Sequence, residues 1–131
     1  MRTIDFRGKA AGSGRWIHGD LVWNGTVPAI FEDADQENAA VIVQEHTLGM
    51  STGAKDKQGH EIYEGDILKH TNMPVYYTVV WDNELCSFVL YNPEEEHEEF
   101  GYSELSPLGR MLRLFPFEKV GNIYDNPKLM K

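Results

Sequence analysis

The segment Gly53 to Leu68 carries the side chains best placed to do chemistry in this 131-residue sequence. Lys55, Lys57, His60 and Glu61 fall at the tip of what reads as a hairpin, where two ammonium groups, an imidazole and a carboxylate would face a ligand or partner. His60 with Glu61 and Glu64 could bind a divalent cation loosely, but solvated charge is the far commoner use of such residues. The same stretch has a structural use. Gly59 and Gly65 permit backbone angles that a side chain forbids, Asp56 and Asp66 can bond turn amides, and Ile62 and Tyr63 can pin the hairpin to a core. Turn-making accounts for more of these residue types than ligand binding does. Lys55, Lys57, His60 and Glu61 therefore stand as a candidate binding tip on a frame of Gly53, Asp56, Gly59, Tyr63, Glu64, Gly65 and Asp66.

Other chemistries find less support. The histidines His18, His46, His60, His70 and His97 are scattered, with no HExxH and no compact His/Cys set, so no metal site is indicated by spacing. No GxSxG, phosphate-binding loop, GxGxxG or Cys-x-x-Cys is present, so no catalytic residue and no cofactor are assigned. The lone Cys86, near Phe88, reads as a small core residue. Carboxylate pairs such as Asp82 with Glu84, or Glu61 with Asp66, read as turn residues. Trp16, Trp23, Trp81, Tyr76 and Tyr77 could offer stacking faces for single-stranded nucleic acid, but core filling is the commoner use. Tyr76 and Tyr77 point to opposite faces of a strand, which leaves one ring for solvent or for a second subunit.

The elements that must position these groups are mostly strands. Ile17, Leu21 and Trp23 alternate with His18 and Asp20, Asn24-Gly25 is hairpin-turn chemistry, and Val27 to Phe31 supplies the return. Ala40 to Val43 is a short β-branched run. Asp56 to Gly59 and Glu64-Gly65 are turns framing Glu61-Ile62-Tyr63. Ile67 to His70 starts a strand, Val75 to Trp81 should be a central one, and Asp82 to Glu84 turns the chain into Ser87 to Tyr91. The acidic run at about 92–100 reads as an exposed loop. Residues 108–117 fit helix and strand equally poorly, with Pro116 ending either. Residues 118–124 alternate as a last strand, and Asn126-Pro127 caps a short helical tail. The fold expected is mainly β with little helix: an irregular N-terminal β-hairpin followed by a small, strongly bent sheet or an SH3-like barrel.

Length favours a single domain over 1–131. The net charge of −9 is spread along the chain: residues 1–65 hold 6 basic and 10 acidic side chains, and residues 66–131 hold 6 and 11. Such a surface repels phosphate backbones, so generic DNA binding is disfavoured. One cysteine, no signal-peptide pattern and no apolar run long enough to span a bilayer point to the cytoplasm.

Three stretches carry a resemblance: Arg15 to Leu21 (RWIHGDL), Thr52 to Leu68 (TGAKDKQGHEIYEGDIL) and Val120 to Pro127 (VGNIYDNP), with Phe6-Arg7-Gly8-Lys9 ahead of them. In this order and spacing the chain resembles the YopX family of phage and prophage proteins. The resemblance implies a β-rich fold, a bacterial host and no catalytic residues to transfer, and it adds Gly121, Asn122 and Tyr124 to the structural signature. The function expected is a phage-type accessory protein that self-associates and binds a phage or host protein. The alternatives are weak single-strand binding, acidic mimicry of DNA, or a small hydrolase.

Overall fold

The computed structural model describes residues 4–32, 39–93 and 106–130. It forms two compact units, Met1–Gly53 and Ala54–Lys131. Both are mainly antiparallel β, and among the described residues neither sheet closes into a barrel.

The first unit is built on β1 (Phe6–Lys9), β2 (Trp16–Asn24), β3 (Val27–Glu32), β4 (Val41–Ile42) and β5 (Gly49–Lys55), ordered β4-β3-β2-β1-β5. The β2–β3 pairing runs from Gly19↔Glu32 to Asn24↔Val27, leaving Gly25-Thr26 as a two-residue loop with Gly25 at φ 65°. That positive φ is the reason for glycine there. The alternation anticipated for β2 is realised: Leu21, Ile30 and Val41 stand opposite one another on one face, with Ile17 farther along it. Together with Ala10, Val43, Phe6 and Leu48 they form the unit's core. The sheet bends back on itself. A single bridge, Ala10↔Val43, ties the end of β1 to the residue after β4, flanked by Ala11 N–H to the Ile42 carbonyl (2.9 Å) and Gln44 N–H to the Lys9 carbonyl (2.8 Å). Gly8 makes this approach possible, since a Cβ there would meet the Val43 side chain at 3.0 Å. The bent sheet rather than the barrel is thus the form adopted, because one bridge does not make a continuous ladder.

In the second unit a tight turn leads to β6 (Glu61–Tyr63), and β7 (Asp66–His70), β8 (Tyr76–Asp82), β9 (Ser87–Tyr91), β10 (Ser106–Pro107) and β11 (Phe117–Asn122) form a sheet ordered β10-β9-β8-β7-β11. The segment expected to be central, β8, is the middle strand. Ile67 and Leu68 are consecutive in β7 and both fully buried, so the sheet is covered on both faces. Val79, Val89, Leu90 and Phe117 complete the core, each contributing roughly 2 kcal/mol by burial. Phe117 meets Tyr77 edge to face, with ring centres 5.7 Å apart.

The segment left open by its sequence divides. Leu108–Leu114 is a short helix, α1, lying against β9 and β10, and Pro116 separates it from β11. Pro127–Met130 is the helical tail, of 3-10 type. Cys86, read as a core residue, is instead exposed at φ 50° in the β8–β9 turn, where Asp82 Oδ1 accepts the Glu84 and Leu85 N–H groups. The acidic run at 92–100 lies from Glu94 onward outside the described residues. Among the described residues no helix is long and apolar enough to cross a membrane.

Candidate functional site

The candidate tip is organised by one buried carboxylate. Asp56 is 6% exposed and follows β5 directly. Its Oδ1 accepts the N–H groups of Gln58 (2.9 Å) and His60 (2.8 Å), closing the turn in which Gly59 takes φ 89°. Its Oδ2 accepts the N–H of Lys119 at 2.9 Å and lies 3.3 Å from His60 Nδ1. Burial works against the charge on Asp56, but the Lys119 and His60 amides, the His60 ring and the Gln58 amide outweigh it and hold the carboxyl below its ordinary value. An ionised carboxylate only accepts, so Nδ1 carries the proton of this contact and Nε2 is left as the imidazole's other functional atom. Lys55, Lys57 and His60 are exposed, and the Lys57 N–H donates to the Phe117 carbonyl at 3.2 Å. Glu61 is half-buried and is engaged through its backbone carbonyl, which accepts Lys119 Nζ at 3.1 Å. The tip thus offers two ammonium groups and one oriented imidazole. Among the described residues no group of three or more His, Cys, Asp or Glu is placed to hold a metal ion.

A second carboxylate, fully buried, anchors the other end of the segment. Asp66 Oδ2 accepts the Tyr63 N–H at 2.7 Å and pairs with Lys119 Nζ at 3.1 Å. The same ammonium lies 5.7 Å from the centre of the buried Tyr63 ring. Lys119 therefore serves both acids, Asp56 with its backbone N–H and Asp66 with its side chain. It was absent from the residues singled out by sequence, although a lysine two positions after Phe117 on an alternating strand faces inward and needs a buried acceptor. A bulge between Lys119 and Gly121 shifts the register there and leaves Val120 outside the ladder.

The last signature stretch closes on the first. Asn122 Oδ1 accepts the N–H groups of Tyr124 (3.0 Å) and Asp125 (2.9 Å), and its Nδ2 donates to Asp125 Oδ2 at 3.2 Å. The Ile123 N–H donates to the Gly65 carbonyl, and the Gly65 N–H to the Val79 carbonyl. Gly65 sits at φ 92°, and a Cβ on it would meet the Tyr124 ring at 3.0 Å. A Cβ on Gly121 would collide with the Asn126 carboxamide, whose oxygen accepts the Asn122 N–H. Glu64 is half-buried, and Gly53, at φ 81°, donates its N–H to Ser51 Oγ in the first unit.

A family model described as YopX protein matches residues 5–131, so the match takes in this whole network and nearly all of the chain. The chain belongs to the YopX family. No curated protein matches it. Among solved structures it is similar to the crystal structure of protein EF1440 from Enterococcus faecalis, with a TM-score of 0.61, 20% sequence identity and 100% of each chain covered. That likeness speaks for the fold. In this YopX chain, Asp56, Asp66 and Asn122 are occupied in holding the turns and strands of the second unit together, and the exposed side chains at the tip include Lys55, Lys57 and His60.

Proposed function

We propose that this YopX-family protein is a non-catalytic accessory module of phage or prophage type, working in the bacterial cytoplasm by self-association and by binding other proteins. The observation that carries the reading is the outward face of the first unit's sheet. Val22, Ala29 and Ile42 stand directly opposite one another across β2, β3 and β4, and Val27 and Phe31 continue the same face of β3. Val22, Val27, Phe31 and Ile42 are 38–53% exposed. The other face of these strands already holds the unit's core. Val22, the buried Ala29 and Ile42 are direct cross-strand neighbours, within about 5.5 Å, while Phe31 and Val27 lie beside Ala29 on β3 opposite the exposed Asp20 and Asn24, so the face is an apolar strip bordered by polar residues. An exposed apolar strip of this kind suits an isologous contact with its own copy. The Tyr76–Tyr77 pair does not carry the reading, since Tyr77 is buried and Tyr76 half-buried.

Size-exclusion chromatography with light scattering tests this. The expected result is a mass at least twice the 15.0 kDa chain, falling to the monomer in Ile42→Glu with an unchanged circular-dichroism melt. A wild-type protein that stays monomeric up to about millimolar concentration would overturn it.

A further inference from the structure

The α1 end of the second unit exposes a surface opposite in character to the rest of this acidic chain. Arg110, Arg113, Leu114 and Phe115 are all exposed, Leu114 at 58% and Phe115 at 43%. Positions 110, 113 and 114 neighbour one another on a helix, because three- and four-residue spacings share a face. The turn after β7 extends the surface. The His70 ring centre lies 5.7 Å from that of Phe115, the Thr71 N–H donates to the Pro116 carbonyl at 2.9 Å, and Met73, 50% exposed, closes the turn onto the His70 carbonyl. The helix's own core side is Leu108, Met111 and Leu112, which are buried or half-buried, so the exposed residues are not a misplaced core stripe. Among the described residues no carboxylate pairs with either guanidinium.

We infer that this surface docks a short acidic segment of another protein, one whose carboxylates flank an apolar anchor. Arginine presents a planar fork that matches carboxylate geometry, and Leu114, Phe115 and Met73 give the anchor an apolar seat beside it. Two arginines make too short a basic track for duplex DNA. The surface shares no residue with the β2–β4 face and does not rest on the self-association reading.

The test is fluorescence anisotropy on the full chain with labelled synthetic probes. These are a peptide with Asp and Glu flanking Leu and Phe, the same peptide with Lys for every acid, polyglutamate of equal length, and a DNA duplex. The acidic apolar peptide should bind, with the other three at least about tenfold weaker, which corresponds to roughly 1.4 kcal/mol. The double variant R110E/R113E and the double variant Leu114→Ser/Phe115→Ser should each weaken the peptide by a similar factor, with melts confirming that both fold. Failure of the acidic peptide to bind, equal binding by R110E/R113E, or DNA binding as tight as the peptide's would overturn the inference. So would loss of self-association in R110E/R113E, which would make α1 a contact between copies. Arginine-dependent peptide binding would support it even in a strictly monomeric protein.

Discussion

The two units of this YopX chain treat buried charge differently. Among the described residues the first unit buries no carboxylate: Glu32 meets Arg15 at the surface, and the unit's buried cation, Arg7, lies over the Trp16 ring with its guanidinium carbon 4.6 Å from the ring centre. The second unit buries Asp56 and Asp66 and gathers backbone amides and Lys119 around them. Buried charges need specific partners at specific angles, so the second unit tolerates few residue types at those positions. An aliphatic core and an apolar outer face accept many. The longest signature stretch therefore marks where folding is most demanding.

The sharpest way to break this contrast is Asp66→Ala. It leaves the Lys119 ammonium facing a vacant site and removes the acceptor of the Tyr63 amide, at an expected cost of about 4 kcal/mol. Urea unfolding read by hydrogen exchange of the β7 and β11 amides measures it. A loss of under about 1 kcal/mol would mean that the buried pair is dispensable and the contrast false.

Asp56→Ala should cost somewhat less, about 2–3 kcal/mol, since it strands turn amides partly open to water. Its charge also gives a pH signature. The folded carboxyl ionises below its unfolded value near about 4, so the unfolded chain takes up the proton first as pH falls. The stabilisation is present above about pH 4 and is lost as pH drops through the lowered folded value. Asp56→Asn should flatten the fall in stability below about pH 4, read as melting temperature against pH, and an unchanged slope would count against the ionised hub.

How much of this the sequence displayed follows from the range of the forces involved. Hairpins and turns are legible because their causes are local: Asn24-Gly25 beside alternating apolar residues, Asp56 bonding amides two and four residues on, and Asp82 bonding amides two and three residues on before Ser87. Cys86 reads as core because apolar Phe88 lies close by in sequence, whereas Asp82 bends the chain into an exposed turn at that point. Lys119 was missed because its partners are distant in sequence, 63 residues away for Asp56 and 58 for Glu61. Residues 108–117 stayed ambiguous because the helix is seven residues long, too short to show a period. The outward face of β2 to β4 depends on which strands pair, and only the register puts Val22, Ala29 and Ile42 in line.

Glycines offer a milder comparison of the two units. Gly14 and Gly65 both hold positive φ, 74° and 92°, but a Cβ at Gly14 meets nothing within 4 Å while one at Gly65 meets the Tyr124 ring. Alanine at Gly14 should cost about 1 kcal/mol from conformation alone, and alanine at Gly65 about 2–3 kcal/mol because crowding adds to it. Equal losses in chemical denaturation would show that the Gly65–Tyr124 contact gives way easily.

The smallest effect should come from the first unit's ion pair. Arg15 Nη1 lies 2.8 Å from Glu32 Oε2, close to the separation of Lys119 from Asp66, yet the Arg15 side chain is 60% exposed. The hydrogen bond to Arg15 does hold the Glu32 carboxyl below its ordinary value, against the opposing effect of burial. Water and salt reach both groups, and holding two long side chains in place consumes what attraction remains. Arg15→Ala should therefore leave the melting temperature within error of wild type at physiological salt. A clear drop that vanished in molar salt would show that the first unit, too, depends on a charge pair.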